Sequence, residues 1–106
     1  MRDILDDVKA WRTENEEIAI ATVVKASGSA PRQVGAKLGV TRSGRMAGSV
    51  SGGCVEGAVF EEAMNVLDSG KPSLVHYGIS DELAWDVGLS CGGQIDVFIE
   101  PFEEKQ

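Results

Sequence analysis

The sequence predicts a single α/β domain, with a mixed β-sheet of about five strands and two main helices packed on it. Its 106 residues fit one domain and leave no room for a second full core. A hydrophobic content of 42% and a charged content of 25% are ordinary for a globular domain and argue against disorder. Segments with helical spacing of apolar residues alternate with short β-branched segments, so both types of element contribute to the core.

The first half of the chain predicts one helix followed by three strands. The helix begins at Asp3, which can cap its first turn, and ends near residue 14. The β-branched and apolar composition of the following segments favours strands, and the turn signal Ser43-Gly44 makes the last two a hairpin. These strands cover residues 18–25, 36–41 and 45–50.

The second half predicts a longer helix and two further strands. A small-residue loop over residues 49–54 leads directly into a helix over residues 55–68, which Ser69-Gly70 and then Pro72 terminate. The remaining elements are strands over residues 73–77 and 95–100 and a short helix over residues 81–87.

The charges are strongly segregated along the chain. The net charge is −7, yet the 38 residues from Ile18 to Val55 contain no carboxylate side chain and hold seven of the 13 glycines. The five cations of this block are Lys25, Arg32, Lys37, Arg42 and Arg45. A glycine-rich, basic block that ends at the start of a helix has the features of a phosphate-binding site, although a solvated surface hairpin would have the same composition. Neither a Walker A motif nor a GxGxxG element is present.

The overall composition excludes some classes of partner. An acidic protein is a poor nonspecific binder of nucleic acid or anionic lipid. No apolar run is long enough to span a membrane, and no secretory signal opens the sequence, so we expect a cytoplasmic protein with reduced thiols.

Two loops combine a cysteine with glycines and a serine. They are Ser51-Gly52-Gly53-Cys54 and Ser90-Cys91-Gly92-Gly93. Cys54 is predicted in the first helical turn, where the helix dipole, with Arg32 or Arg45 nearby, would lower the pKa of the thiol. Such a thiolate could be a nucleophile, a redox thiol, a sulfur carrier or a ligand to a soft metal. The alternative for either cysteine is a small buried hydrophobe.

Other chemically active side chains have simpler interpretations. His76 lies in an apolar strand and is expected to be a hydrogen-bonded core or edge histidine rather than a base. The acidic cluster over residues 81–86 fits the polar face of a short helix, and the two tryptophans, Trp11 and Trp85, are predicted as core or interface anchors.

Four segments together resemble the xanthine dehydrogenase accessory family (XdhC/CoxI). They are Ala26–Arg32, Gly48–Glu56, His76–Asp81 and Gly88–Gly93. The resemblance runs from about Ile18 to Pro101 and is specific because the segments occur in the same order. Longer family members carry a C-terminal Rossmann-like domain, so residues 1–106 resemble the N-terminal domain alone, as a short member or a fragment.

The resemblance implies a molybdenum-cofactor-binding chaperone that acts in the maturation of molybdenum hydroxylases such as xanthine dehydrogenase or carbon monoxide dehydrogenase. The implied partners are the hydroxylase apo-enzyme and a cysteine desulfurase, and the resemblance also points to a homodimer. Such a protein would hold molybdopterin transiently and would not turn over a substrate.

Within that hypothesis each candidate site residue has a role. Cys54 faces the molybdenum or its exchangeable sulfur, and the loop of Cys91, Gly92 and Gly93 borders the same pocket. Backbone and hydroxyl donors come from Ser49, Ser51, Gly52 and Gly53, whereas Arg32 and Arg45 neutralise phosphate. Two alternatives stay open: a two-cysteine thiol oxidoreductase or sulfurtransferase, and a protein–protein interaction module.

Overall fold

A computed structural model describes residues 4–27, 34–50, 56–77 and 94–102. The helices are α1 (Leu5–Thr13) and α2 (Glu56–Ser69). The strands are β1 (Ile18–Ser27), β2 (Lys37–Thr41), β3 (Met46–Gly48), β4 (Ser73–Tyr77) and β5 (Gln94–Pro101). Neither described helix has the length and apolar character needed to cross a lipid bilayer.

The five strands form one sheet in the order β3-β2-β1-β5-β4. The predicted α/β domain with five strands and two main helices is confirmed, but the sheet is antiparallel throughout and not mixed. The reason is that β1, β3 and β4 share one direction and are separated by β2 and β5, which run the opposite way. Because α2 crosses from β3 at one edge of the sheet to β4 at the other edge, no two parallel strands become neighbours.

The larger core lies between the sheet and α2. Alternate residues of β1, β2 and β5 point to this face, as the period of two along a strand requires. The helix contributes Val59, Ala63 and Val66, which repeat at helical spacing and are fully or almost fully buried. Burial of this apolar surface holds α2 across the middle strands.

A smaller core lies on the opposite face, beneath α1. Val8 and Trp11 of the helix pack on Ile18 and Ile20 of β1, and Ile4 completes the cluster. The predicted core position of Trp11 is confirmed, since only 6% of its surface is exposed. Gly39 of β2 lies under the indole, where a Cβ atom would approach Trp11 Cζ3 to 3.2 Å.

Several boundaries differ from the prediction for physical reasons. Ile4, not Asp3, is the N-cap of α1. Its hydrocarbon side chain cannot accept a cap hydrogen bond and instead packs in the core, at 0% exposure. β1 continues to Ser27 because β5 pairs with it along its whole length. β3 has only three residues, since Ser49 and Val50 turn toward α2 instead. The predicted helix over residues 81–87, with Trp85, lies outside the described residues.

Candidate functional site

Five strand ends point to the same end of the sheet, which we call the motif end, although β2 begins level with Thr22, five residues before the end of β1. It consists of the last residues of β1, β3 and β4 and the first residues of β2 and β5. In that order these residues are Ser27, Gly48, Tyr77, Lys37 and Gln94. Segments 28–33, 49–55 and 78–93 all connect to these strand ends. All four sequence motifs are therefore attached to the same end of the sheet, although they are dispersed along the chain.

The start of α2 is tied to the motif end by one carboxylate. Glu56 accepts a hydrogen bond from the Ser49 hydroxyl at 2.8 Å and another from the Val50 backbone N–H at 3.0 Å. Ser49 in turn donates its backbone N–H to the Lys37 carbonyl at 2.9 Å. The helix therefore begins beside the β2–β3 hairpin, and its positive dipole end lies at the motif end.

The two described arginines of the acid-free block lie at the opposite end of the sheet, around the β2–β3 turn. Arg45 pairs with Glu14 at 2.8 Å and with Glu16 at 3.6 Å. Arg42 pairs with Glu17 and, at 2.9 Å, with Asp68 near the end of α2. The hydrogen bonds to Glu17 and Asp68 raise the pKa of Arg42 above its ordinary value. These cations are neutralised by carboxylates that are distant in the sequence.

Only two of the predicted site residues, Arg45 and Ser49, lie within the described part of the chain. They are at opposite ends of β3, so the structure does not bring them together. Ser49 is at the motif end, where the hypothesis needs it. The other predicted site residues lie outside the described residues, and their roles stay predictions: Arg32, Ser51, Gly52, Gly53, Cys54, Cys91, Gly92 and Gly93.

Two lysines of the acid-free block face the motif end on the α1 side of the sheet. Lys37 is half-buried and donates to the Thr22 hydroxyl at 2.9 Å. Lys25 is exposed and lies opposite Asp96 across the β1–β5 pair. Within the described ranges, neither lysine forms an ion pair. They contrast in this respect with the arginines at the opposite end.

An open pocket of about 110 Å³ lies beside Lys25, lined by Lys25, His76, Gln94 and Asp96. His76 is on edge strand β4, and its Nδ1 is 2.5 Å from an Asp96 carboxylate oxygen. This contact satisfies the expectation of a hydrogen-bonded edge histidine. It also leaves Nε2 of an imidazole that is 59% exposed available to a ligand. In the part of the chain that the structure describes, no three His, Cys, Asp or Glu side chains group to hold a metal ion.

Sequence patterns place Lys25 among the cations of the acid-free block but do not assign it, Gln94 or Asp96 to a site. A β-bulge between Val23 and Lys25 shifts the register of β1 against β5 and brings Lys25 to the same face as Asp96. Uninterrupted alternation would have placed Lys25 on the α2 face, with Val23. The one available signal was the alternation of polar and apolar residues in β5, which puts Gln94 and Asp96 together.

The chain belongs to the XdhC and CoxI family, which it matches over residues 11–78. It is 36% identical over 95 residues to a probable xanthine dehydrogenase subunit of Bacillus subtilis, covering 88% of this chain and 29% of that protein. It is 38% identical over 88 residues to the molybdenum cofactor insertion chaperone PaoD of Escherichia coli, covering 82% of this chain and 27% of PaoD.

A solved structure has the same fold. The crystal structure of a xanthine dehydrogenase from Bacillus halodurans superimposes with a TM-score of 0.80 at 30% identity, covering 95% of this chain and 31% of that one. The chain thus spans less than a third of the length of each of these relatives.

Proposed function

We propose that this chain binds the molybdenum cofactor as cargo at the motif end and takes part in its delivery to a molybdenum hydroxylase. The observation that carries the proposal is the antiparallel pairing of all five strands, which attaches all four motif segments to one end of the sheet. Family membership and the similarity to PaoD support the same role.

The chemistry of the motif end suits such a cargo. Molybdopterin combines a polar heterocycle, a terminal phosphate and a metal held by sulfur. Lysine, histidine and glutamine side chains lie at the motif end and can donate to an anion. The Ser49 hydroxyl and the start of α2 lie there too, where the Glu56 carboxylate accepts the hydroxyl hydrogen bond. Cys54 and Cys91 are our candidates for contact with the metal or its exchangeable sulfur, with donors from Ser51, Gly52 and Gly53 and from Gly92 and Gly93. Arg32 stays the proposed phosphate partner from the loop.

The proposed partners follow from the same role. We propose that the chain acts in the cytoplasm on a hydroxylase apo-enzyme such as xanthine dehydrogenase or carbon monoxide dehydrogenase, with a cysteine desulfurase as sulfur source and as a homodimer. Among the relatives, PaoD is named for cofactor insertion, and the B. subtilis relative is named for xanthine dehydrogenase.

Co-purification with the cofactor tests the proposal. The chain is expressed together with a molybdenum cofactor pathway, and the purified protein is assayed for molybdenum and for the fluorescent oxidised pterin. We expect both in the wild type, and a loss of both in the Cys54→Ala, Arg32→Ala double variant. Lys71→Gln is the matched control, because Lys71 is exposed and lies at the opposite end of the sheet. Absence of pterin from the wild type would refute cofactor binding.

The same preparations distinguish the alternative functions. A thiol oxidoreductase or sulfurtransferase predicts a linked Cys54–Cys91 disulfide or a persulfide that turns over, which mass spectrometry after mild oxidation detects. An interaction module predicts salt-sensitive partner binding that neither cysteine affects. Two free thiols together with retained pterin favour the chaperone.

A further inference from the structure

We propose that Lys25, His76 and Gln94 form a phosphate-binding subsite on the α1 face at the motif end. The inference rests on the proposed function for the identity of its natural ligand, a phosphorylated pterin. The binding chemistry itself is that of any phosphate group and is independent of that function.

The distribution of described cations is the first argument. Arg42 and Arg45 are held by carboxylates at the opposite end of the sheet, so neither is positioned for an anion among the motif segments. Lys25 is exposed at the motif end, forms no ion pair within the described ranges, and lines the pocket. Its ammonium group can therefore donate to a phosphate oxygen without first breaking a salt bridge.

The remaining lining groups complete a set of donors. The Gln94 amide supplies N–H donors beside Lys25. His76 presents Nε2, which donates to a phosphate oxygen when the ring is protonated and accepts from a P–OH group when the ring is neutral. The protonated ring therefore binds any phosphate oxygen, whereas the neutral ring binds only a phosphate that retains a P–OH proton.

Asp96 also lines this pocket, and its contact with His76 explains the presence of a carboxylate there. Its oxygen is hydrogen-bonded to His76 Nδ1, so it orients the imidazole and directs the other nitrogen to a ligand. That contact engages one carboxylate oxygen, Oδ1, and offsets the negative charge when the ring is protonated; 26% of the side chain is exposed. We assign Asp96 as a positioning residue and not as a ligand contact.

A partly apolar surface borders the subsite on one side. On the α1 face the next row across the strands is Thr22, Phe98 and Leu74, beyond Lys25, Asp96 and His76. Leu74 is 63% exposed, so an apolar surface borders the polar pocket. A pocket of about 110 Å³ suits a phosphate, while a bulkier organic group attached to it would extend beyond the four lining residues, for example over Phe98 and Leu74.

The chain contains a single histidine, which provides a specific probe. Sodium phosphate is titrated into the wild-type chain at constant pH and ionic strength, and the ring proton resonances of His76 are followed by NMR. We expect a saturable shift, and about tenfold weaker affinity in Lys25→Gln, the loss of one charge-assisted hydrogen bond. Lys25→Arg should retain affinity within about threefold, because the charge stays in place.

Lys71→Gln removes the same charge from an exposed lysine at the opposite end and should bind phosphate like the wild type. Equal affinities for Lys25→Gln and Lys71→Gln, with both variants folded by circular dichroism, would overturn the subsite. So would a wild-type His76 resonance that phosphate shifts no more than chloride does. A parallel titration with pyrophosphate separates a monoester subsite from one built for a dinucleotide, which predicts tighter pyrophosphate binding.

Failure of this subsite and failure of the proposed function give different results. If the wild type co-purifies with pterin but phosphate does not shift His76, cofactor binding stands and the subsite is wrong. If phosphate binds in a Lys25-dependent manner but no pterin co-purifies, the subsite stands as an anion site and the cofactor proposal is wrong.

Discussion

At the scale of single residues, the environment of Tyr77 changes its acid–base behaviour. The side chain is at the last position of β4 and is 7% exposed, beside the α2 core. Burial, with a smaller contribution from the charge of Glu62, raises the pKa of Tyr77 to about 12. The folded state therefore favours the neutral phenol.

The consequence is a pH-dependent stability that can be measured on one chromophore, because the chain has a single tyrosine. The stabilisation associated with neutral Tyr77 is fully present below the ordinary tyrosine pKa of about 10 and is lost as the pH rises toward 12. Near-ultraviolet absorbance should show phenolate formation near pH 12 in the folded chain and near pH 10 in denaturant. The Tyr77→Phe variant should lose less stability over this interval. Coincident titrations in the two solvents would contradict the assignment.

Gly48 ends β3 with a φ of +85°, in a conformation that favours glycine. A Cβ atom there would overlap the Lys37 carbonyl oxygen and lie 2.6 Å from Ile4 Cγ2. Gly44 has a φ of +104° but no atom within 4 Å of an added Cβ. A substitution at Gly44 therefore measures the free-energy cost of the backbone conformation without the cost of steric overlap.

We expect Gly44→Ala to lower the free energy of unfolding by about 1 kcal/mol and Gly48→Ala by about 3 kcal/mol or more. Urea unfolding of the two variants measures the difference. Equal losses would show that the contacts around Gly48 relax without cost.

The positions of some single residues could be predicted from the sequence, and those of others could not. Trp11 could be predicted in the core because helical spacing determines which side of a helix is apolar. Lys25 could not be placed, because a bulge reverses its face and the chain offers no local signal for it. The position of Arg45 away from the motif end could not be predicted, because its partners Glu14 and Glu16 are distant in the sequence and come close to it only in the folded sheet.

At the scale of elements, the bounds of most helices and strands could be predicted to within two residues. Local composition is sufficient when a segment is apolar and regular, as β4 shows by matching residues 73–77. It is insufficient for β3, which ends at Gly48, where the backbone has a φ of +85°. Beyond it, the Ser49 hydroxyl and the Val50 N–H bind Glu56 of α2, a contact that local propensity does not predict.

The Glu56 carboxylate thus joins the hairpin to α2 and brackets segment 51–55, which contains Cys54. We expect Glu56→Ala to lower the free energy of unfolding by about 2 kcal/mol, since two hydrogen bonds to a charged acceptor are lost. Glu56→Gln should fall between this variant and the wild type. Exposed Glu61 on the same helix is the control, and Glu61→Ala should change the free energy by less than about 0.5 kcal/mol. Chemical denaturation that ranks Glu61→Ala beside Glu56→Ala would refute the linking role.

At the scale of the whole molecule, the pairing of charges differs between the two ends of the sheet, and the number of buried residues differs between its two faces. Along the strands, carboxylates outside the acid-free block neutralise Arg42 and Arg45 at one end, whereas Lys25 at the motif end forms no ion pair within the described ranges. The sequence showed the segregation of charge but not this division, which depends on which strand ends come together. Across the sheet, 13 of the described residues are buried in the α2 core, whereas five are buried in the α1 core.

This unequal packing predicts that α1 opens more easily than the rest of the fold, because local stability follows buried apolar contact. A matched pair of variants tests it: Val8 of α1 and Val59 of α2 are 1% and 0% exposed. Val59→Ala should lower the free energy of global unfolding by about 2 kcal/mol, and with it the protection of amides in β1 and β5 against hydrogen exchange. Val8→Ala should chiefly lower the protection of α1 amides, because the α2 core holds the sheet while α1 is detached. If both variants reduced protection equally in α1 and in the central strands, the two cores would form one cooperative unit and the separate opening of α1 would be refuted.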